Sequence, residues 1–354
     1  MNTDSSTAKR TSEKSFKQSW AFDFFLRRYA VIPVLVIFVI VATLLTKNFM
    51  TPKNLTNLLR QVTANGIIAV GMTFVILTGG IDISVGSVVG MSSLLFASFF
   101  SPDGLVRPFQ GASAIVNKLV PGSGQVVCIL VAAFFALLMC AVIGVINGFI
   151  ITKCKIPEFI VTMSTQIMVK GFTLIQCEGH VIYLDRALGD RISWLGSGRF
   201  FGIPVPVIVA IIIVAISILV LNKTTYGRYV RAIGGNPEAA RVAGINVDIY
   251  KGSVYIISAV LSGIAGILIT CRTLSGEPLL GDGYELDAIA GTVIGGTAML
   301  GGIGNTIGTV FGVLILGIIN NLLNLKNVSV YYQYIIKGLI ILFAVYIRTD
   351  RKKK

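Results

Sequence analysis

Charged side chains are scarce in this chain. Asp, Glu, Lys and Arg together make up 13% of its 354 residues, and there is one histidine, His180. With a single imidazole, no Ser/His/Asp trio or paired-histidine metal motif can be assembled, and neither HExxH nor GxSxG occurs. No Gly-Lys dipeptide is present, so a GxxxxGK[ST] phosphate loop is missing, and any ATP consumed must be hydrolysed by another chain. Gly196-Ser-Gly198 and Gly302-Ile-Gly304 neither follow a strand nor complete a GxGxxG fingerprint. The five cysteines form no CxxC and no zinc-like spacing. Cys128, Cys140, Cys177 and Cys271 lie in or beside apolar segments, and Cys154 sits in a short basic loop.

Apolar residues dominate what remains. Counting Gly and leaving out Tyr, they reach about 62% of the chain, against roughly 45–50% in soluble domains. Mean hydropathy is +0.82. A soluble enzyme, a secreted disulfide scaffold and a disordered chain are thereby excluded, and an integral membrane protein is indicated. The net charge of +14 fits Lys and Arg at the cytoplasmic ends of spans and gives no support to nucleic-acid binding.

A span needs roughly 20 apolar residues to cross about 30 Å of hydrocarbon. Ten segments fit that ruler, near 30–46, 58–78, 84–100, 126–150, 159–176, 204–221, 252–271, 287–300, 303–324 and 333–347. The segments 84–100 and 287–300 are short and rich in Gly, Ser and Thr. The first segment follows a basic stretch but leads to no small-x-small cleavage site, so it reads as a retained span. With the N-terminus cytoplasmic, inside stretches carry 18 Lys and Arg and outside loops 9, while Arg60, Lys170 and Lys337 fall within spans near their ends. That excess places both termini inside. The expected fold is therefore an all-α polytopic bundle of about ten transmembrane helices. A cytoplasmic tail over 1–29 precedes a transmembrane domain over 30–347, and a basic tail over 348–354 ends the chain. The Gly- and Pro-rich stretch 103–124 forms an outside insert.

Two stretches echo one another. Thr78–Gly90 and Leu300–Gly312 share six of thirteen positions and the same glycine spacing. Glycine-rich composition accounts for part of this. A duplicated unit with broken helices, as in many transporters, accounts for all of it. Whether such copies run parallel or inverted depends on the span count. The pair Gly79-Gly80 at a span end suits a re-entrant turn.

Ionisable groups at membrane depth are costly and mark candidate functional positions. Asp82, with Ser84 beside it, lies at a break between spans, and Tyr284, Glu285 and Asp287 open the weak eighth segment. Capping of a helix N-terminus explains the two carboxylates of that segment equally well. Thr165, Gln166, Asn320 and Asn321 either line a wet pathway or bridge helices. No chain of buried carboxylates and imidazoles suited to a proton relay is seen.

The stretch 222–251 is the longest inside connection. Within it Asn236 is a good N-cap, Pro237 suits the first helical position, Glu238 favours the first turn, and Gly244 supplies a stop. The loop thus holds a two-turn helix with small residues, Ala239 and Ala240, that can dock closely.

From here the chain resembles the sugar permeases of bacterial ATP-binding-cassette importers, the ribose and galactose group. The stretches that carry the resemblance are Gly234–Asn246, Ala69–Gly86, Gly283–Ala290 running into Gly295-Gly296-Thr297 and Gly301-Gly302, and Tyr331–Gly338. The resemblance implies two permease subunits, a homodimer or a heterodimer of two permeases, around a central pathway in the bacterial cytoplasmic membrane. It also implies a cassette ATPase, often a tandem fused one, on the inside, and a sugar-binding protein outside. No cofactor would be bound by this chain, ATP and magnesium belonging to the ATPase. Gly235, Asn236, Pro237, Glu238, Ala239, Ala240, Arg241, Gly244, Ile245 and Asn246 match the helix that couples to that ATPase. Asp82 and Tyr284–Asp287 match signatures near the pathway. The long N-terminal tail and the outside insert depart from the family pattern. A competing reading is a secondary carrier driven by H⁺ or Na⁺, with Asp82, Glu285 or Asp287 as the ion carrier.

Overall fold

The computed structural model describes residues 31–100, 124–184 and 186–349. The tail expected over 1–29, most of the insert at 103–124 and the last five residues of the basic C-terminus lie outside the described residues. Helices account for nearly all regular structure, as the apolar composition requires. In order they are α1 (Val31–Leu45), α2 (Pro52–Leu77), α3 (Val85–Phe100), α4 (Gly124–Lys153), α5 (Glu158–Gln176), α6 (Arg186–Ser197), α7 (Val205–Lys223), α8 (Thr225–Gly235), α9 (Pro237–Val242), α10 (Val247–Thr273), α11 (Tyr284–Ile294), α12 (Thr306–Leu325) and α13 (Val330–Thr349). Two residue pairs make small antiparallel ladders: β1 (Ile182–Tyr183) with β4 (Ser275–Gly276), and β2 (Arg199–Phe200) with β3 (Ile203–Pro204). Among the described residues, α2, α4, α7, α10 and α12 are long and apolar enough to cross a bilayer unaided.

Nine of the ten expected segments coincide with helices of 15 residues or more. The segment expected as a span over 287–300 differs. Its helix, α11, has 11 residues, about 16 Å and half a bilayer. It stops at Gly295-Gly296, where Gly296 takes φ +109°. Before α11, residues 275–283 run along α3 as a short strand, 275–276, followed by consecutive turns over 278–283. A Cβ on Gly276 would press the Ala97 side chain, and one on Gly281 would press the Gly86 carbonyl and Val89. Gly86 and Gly90 of α3 admit this non-helical backbone, since a Cβ at either would meet the carbonyls of Gly281, Pro278 or Leu280.

The helices pack with an internal correspondence between α2–α5 and α10–α13. α2 runs antiparallel to α12, with Asn54 bonded to Asn321 near one end and Thr73 to Thr309 near the other. Its counterpart α10 runs antiparallel to α4, with Gly263 against Cys140, Gly144 against Ile256 and Gly148 against Gly252. α2 runs parallel to α11, through Asn65–Asp287 and Ala69–Thr292. α10 likewise runs parallel to α3, through Gly266 against Val89 and the bond from Thr270 to Ser93. Exchanging α2–α5 with α10–α13 exchanges the two sets of contacts, as an internal repeat requires. The Thr78 and Leu300 echo is something else. Those two turns meet each other: the Gly302 N–H donates to the Leu77 carbonyl at 2.9 Å, and Gly301 lies against Gly79.

The ends of the bundle sort as the alternation of segments requires. One end gathers the 151–158 loop, α8, α9 and the start of α10, tied by Lys153–Asp248 at 3.0 Å and by Lys251–Glu158. The other gathers Asn54–Asn321, the bond from Arg60 to the Ser197 carbonyl and the β1–β4 ladder.

Candidate functional site

Two regions carry the functional residues expected from the sequence. The first is the end formed by α8 and α9. The stretch 222–251 was expected to hold one short helix and holds two. α8 is capped by Thr224, whose hydroxyl accepts from the Gly227 N–H, and it is buried along Gly227, Val230 and Ile233. α9 begins as its residues dictate. The Asn236 side chain accepts from the N–H groups of Glu238 and Ala239, both at 3.0 Å, and Pro237 occupies the first turn. At its end Gly244 takes φ +81°, the Gly244 N–H donates to Arg241 O and the Ile245 N–H to Ala240 O. This pair of bonds is the Schellman stop, in which the residue after the glycine packs back on the last turn, here Ile245 on buried Ala240. Asn246 then caps α10 by accepting from the Ile249 N–H. A six-residue helix has little stability of its own. Caps at both ends and a small core of Ile233, Ala240 and Val247 make it a rigid knob.

Outward from that core stand Glu238, Ala239, Arg241 and Val242, the last 90% exposed. Arg241 leans back toward Asp248 at 3.8 Å, and Asp248 also holds Lys153. Nothing in the sequence marks Asp248, because its two partners stand on different elements, α4 and α9. On the inner side, Gly234 and Gly235 of α8 press on the paired turns. A Cβ at Gly234 would overlap the Leu77 carbonyl oxygen and crowd the Gly302 N–H. Tyr226, at the start of α8, bonds Ser253 of α10 at 2.7 Å. Burial pushes its phenol above the ordinary range, partly offset by that bond.

The second region lies at membrane depth. Asp82 is 1% exposed and its Oδ1 accepts from the Ser84 hydroxyl at 2.6 Å and the Ser84 N–H at 3.1 Å, closing the turn into α3. The Ser84 hydroxyl accepts from Asn147 of α4, and the Asn147 carbonyl from Thr165 of α5 at 2.6 Å. Four of these side chains form one buried string across α3, α4 and α5, and Asn147 was not anticipated. Thr165 therefore bridges helices. Its neighbour Gln166 points elsewhere and donates to Glu285 at 3.3 Å. Asp287 takes two donors, Asn65 at 3.3 Å and Lys337 at 3.0 Å. The structure thus brings Gln166, Glu285 and Asp287 together at the start of α11, where their carboxylates also favour its helix dipole. Tyr284 lies beside them, half-buried. Asn321 is a bridge to Asn54, through two bonds of 2.9 Å, and belongs to the helix packing; Asn320 is buried beside it. Asp82 stands apart from α11, in its own string. Among the described residues no group of three His, Cys, Asp or Glu side chains could hold a metal ion.

Against known proteins, residues 54–345 match the family described as branched-chain amino acid transport system, permease component. The chain is 42% identical to the ribose import permease of Bacillus subtilis over 321 residues, 90% of this chain and 91% of that one. It is 35% identical to the L-arabinose transport system permease of Escherichia coli K12, covering 93% and 92% of the two chains. It is 34% identical to the D-allose transport system permease of the same organism, covering 96% and 97%. No solved structure matches it.

Proposed function

The chain belongs to the permease family of ATP-binding-cassette importers, and from that premise we propose that it forms the membrane pathway for a monosaccharide of the ribose, arabinose or allose kind. It is a multi-pass transport subunit of the bacterial cytoplasmic membrane, with no catalytic site of its own. In this reading ten crossings over 30–347 place both termini in the cytoplasm. Two copies surround the pathway, a cassette ATPase with two nucleotide sites, fused or paired, docks inside, and a binding protein delivers the sugar outside.

The observation that carries the reading is the short capped helix α9. It stands at the end of the bundle with Glu238, Ala239 and Val242 outward and Ala240 fixed inward. Such a knob suits a cleft in a soluble partner. When ATP draws the halves of the ATPase together, each half carries its α9 with it. α8 transmits the shift to the turns at Gly79 and Gly301, because no side chain separates Gly234 from them. Small displacements at a packed junction become a switch between two packings. Gln166, Tyr284, Glu285 and Asp287 then line the pathway, while Asp82, Ser84 and Thr165 hold its wall. Oxygen- and nitrogen-bearing side chains suit sugar hydroxyls, and weak binding suffices where a delivering protein supplies the affinity.

The test is sugar uptake into proteoliposomes, with this chain alone and then with its ATPase and binding protein. Uptake that needs all three and ATP is the expected result. Uptake by the chain alone, abolished by collapsing a proton or sodium gradient, would replace the importer with a secondary carrier.

A further inference from the structure

Lys170 and Lys337 lie inside helices and have no place in the reading above. Lys170 is six residues before the end of α5 and Lys337 seven after the start of α13, so both stand about 10 Å below the same end of the bundle. Their helices belong to opposite halves, and both are outlying: α5 packs chiefly on α3, and α13 chiefly on α11. The two lysines nevertheless reach one stretch of chain. Lys170 pairs with Asp282 at 2.7 Å and Lys337 with Asp287 at 3.0 Å. Between them Glu285 accepts from Gln166.

At this depth a charged side chain cannot face lipid without large cost. Yet the Lys170 and Asp282 side chains are 38% and 49% exposed. Their open side therefore faces water or a second chain. A pair so exposed adds little stability, and so parts readily. The Lys337–Asp287 pair is drier, with Asp287 at 8%. Parting it strands a buried carboxylate, unless other donors such as water or sugar hydroxyls replace the ammonium.

Resting on the permease reading, we infer that Lys170 and Lys337 are gating residues. Each clasps one outlying helix to the acidic break at 282–287, and together they close the outer half of the pathway to a neutral polyol. The clasps part as the helices separate, and the freed Asp287 oxygens, with Glu285 beside them, then accept the hydroxyls of the sugar.

Gly171 and Gly338 directly follow the two lysines, and a Cβ at either would meet open space. A cysteine at either position is therefore a tolerated reporter. The buried native cysteines are Cys128, Cys140, Cys177 and Cys271, and exposed Cys154 lies at the α8–α9 end. Intact cells carrying Gly338→Cys or Gly171→Cys are treated with a membrane-impermeant maleimide. Slow labelling is expected with the clasps intact. Labelling at least tenfold faster is expected when Lys337→Met is added to the first reporter, or Lys170→Met to the second. The charge exchange Asp287→Lys with Lys337→Asp is expected to return the slow rate, which a variant that merely misfolds would not do. An unchanged rate with either lysine neutralised, or an exchange as fast as the single change, overturns the gate. In the reconstituted complex each neutralised lysine should cut ATP-driven uptake at least tenfold, and undiminished uptake also overturns it. Should labelling respond as expected while the wild-type complex moves no sugar, the gate stands and the permease reading falls.

Discussion

At the scale of single residues, the carboxylates show why position decides role. Asp82 and Asp287 are both buried, yet one closes a turn through Ser84 and the other holds Asn65 and Lys337. Asp82→Ala removes the acceptor of a backbone N–H and a hydroxyl that are both buried. Leaving such groups unpaired costs about 1–3 kcal/mol each. The expected outcome is a clear fall in the melting temperature of the detergent-purified protein, with Asp82→Asn recovering much of the loss through its amide oxygen. Equal losses in both variants would show that the negative charge, and not the acceptor, is what the site uses. The sequence marked Asp82, Glu285 and Asp287 because charge is rare in apolar segments. It could not mark Asn147, which reaches Ser84 and Thr165 from another helix 63 and 18 residues away. An Asn in a span looks the same whether it bridges helices or lines water, and only its partners separate the cases.

At the scale of elements, legibility followed how local the cause was. The ends of α9 were readable because capping is decided within six or seven residues, and Asn236 and Gly244 act as their side chains and φ angles require. Asn236→Ala should destabilise α9 by about 0.5–2 kcal/mol. Its expected signature is ATP hydrolysis by the complex that no longer rises in step with sugar uptake. Exchanging charges in Glu238→Arg with Arg241→Glu should leave the protein assembled in the membrane and uncouple transport; normal uptake would dissociate α9 from the ATPase. α8 was not foreseen, since nothing in 222–251 says that Gly234 must fit against Leu77. That fit yields a sharper expectation. Gly234→Val places a branched side chain where the Leu77 carbonyl stands, so α8 must lift from the paired turns. Uptake should fall to background, whereas Gly235→Ala, where a Cβ meets open space, should be near wild type. Equal behaviour of the two would show that the junction transmits nothing. The half-length of α11 was equally hidden: its apolar run continues to Leu300 in sequence, but Gly295-Gly296 ends the helix because Gly308 and Gly312 of α12 press on it there.

At the scale of the molecule, hydropathy made the all-α membrane bundle and the places of its long helices legible, but not their pairing. Which helices touch depends on glycines and small polar residues tens to hundreds of positions apart, and no period in the sequence records that. The pairing has one consequence for assembly. The two sets of helices share a core at α2 and α10, and α5 and α13 are left outermost. Lipid can cover the Tyr346, Phe343, Leu342 and Leu339 face of α13, all of it exposed and apolar. It cannot cover Lys170, Asp282 and the polar start of α11. One chain cannot enclose this edge, so a pathway bounded by lipid on one side would leave charge in hydrocarbon. A second copy bringing the same edge forward encloses it, and twofold symmetry makes the two edges meet. Native mass spectrometry of the complex released from the membrane should therefore find two copies of this chain for each pair of nucleotide sites. A single copy bound to a different permease chain would keep the enclosure and replace the symmetric pair. A lone copy that still transports would require the edge to be sealed by this chain itself, which the packing of α5 and α13 does not provide.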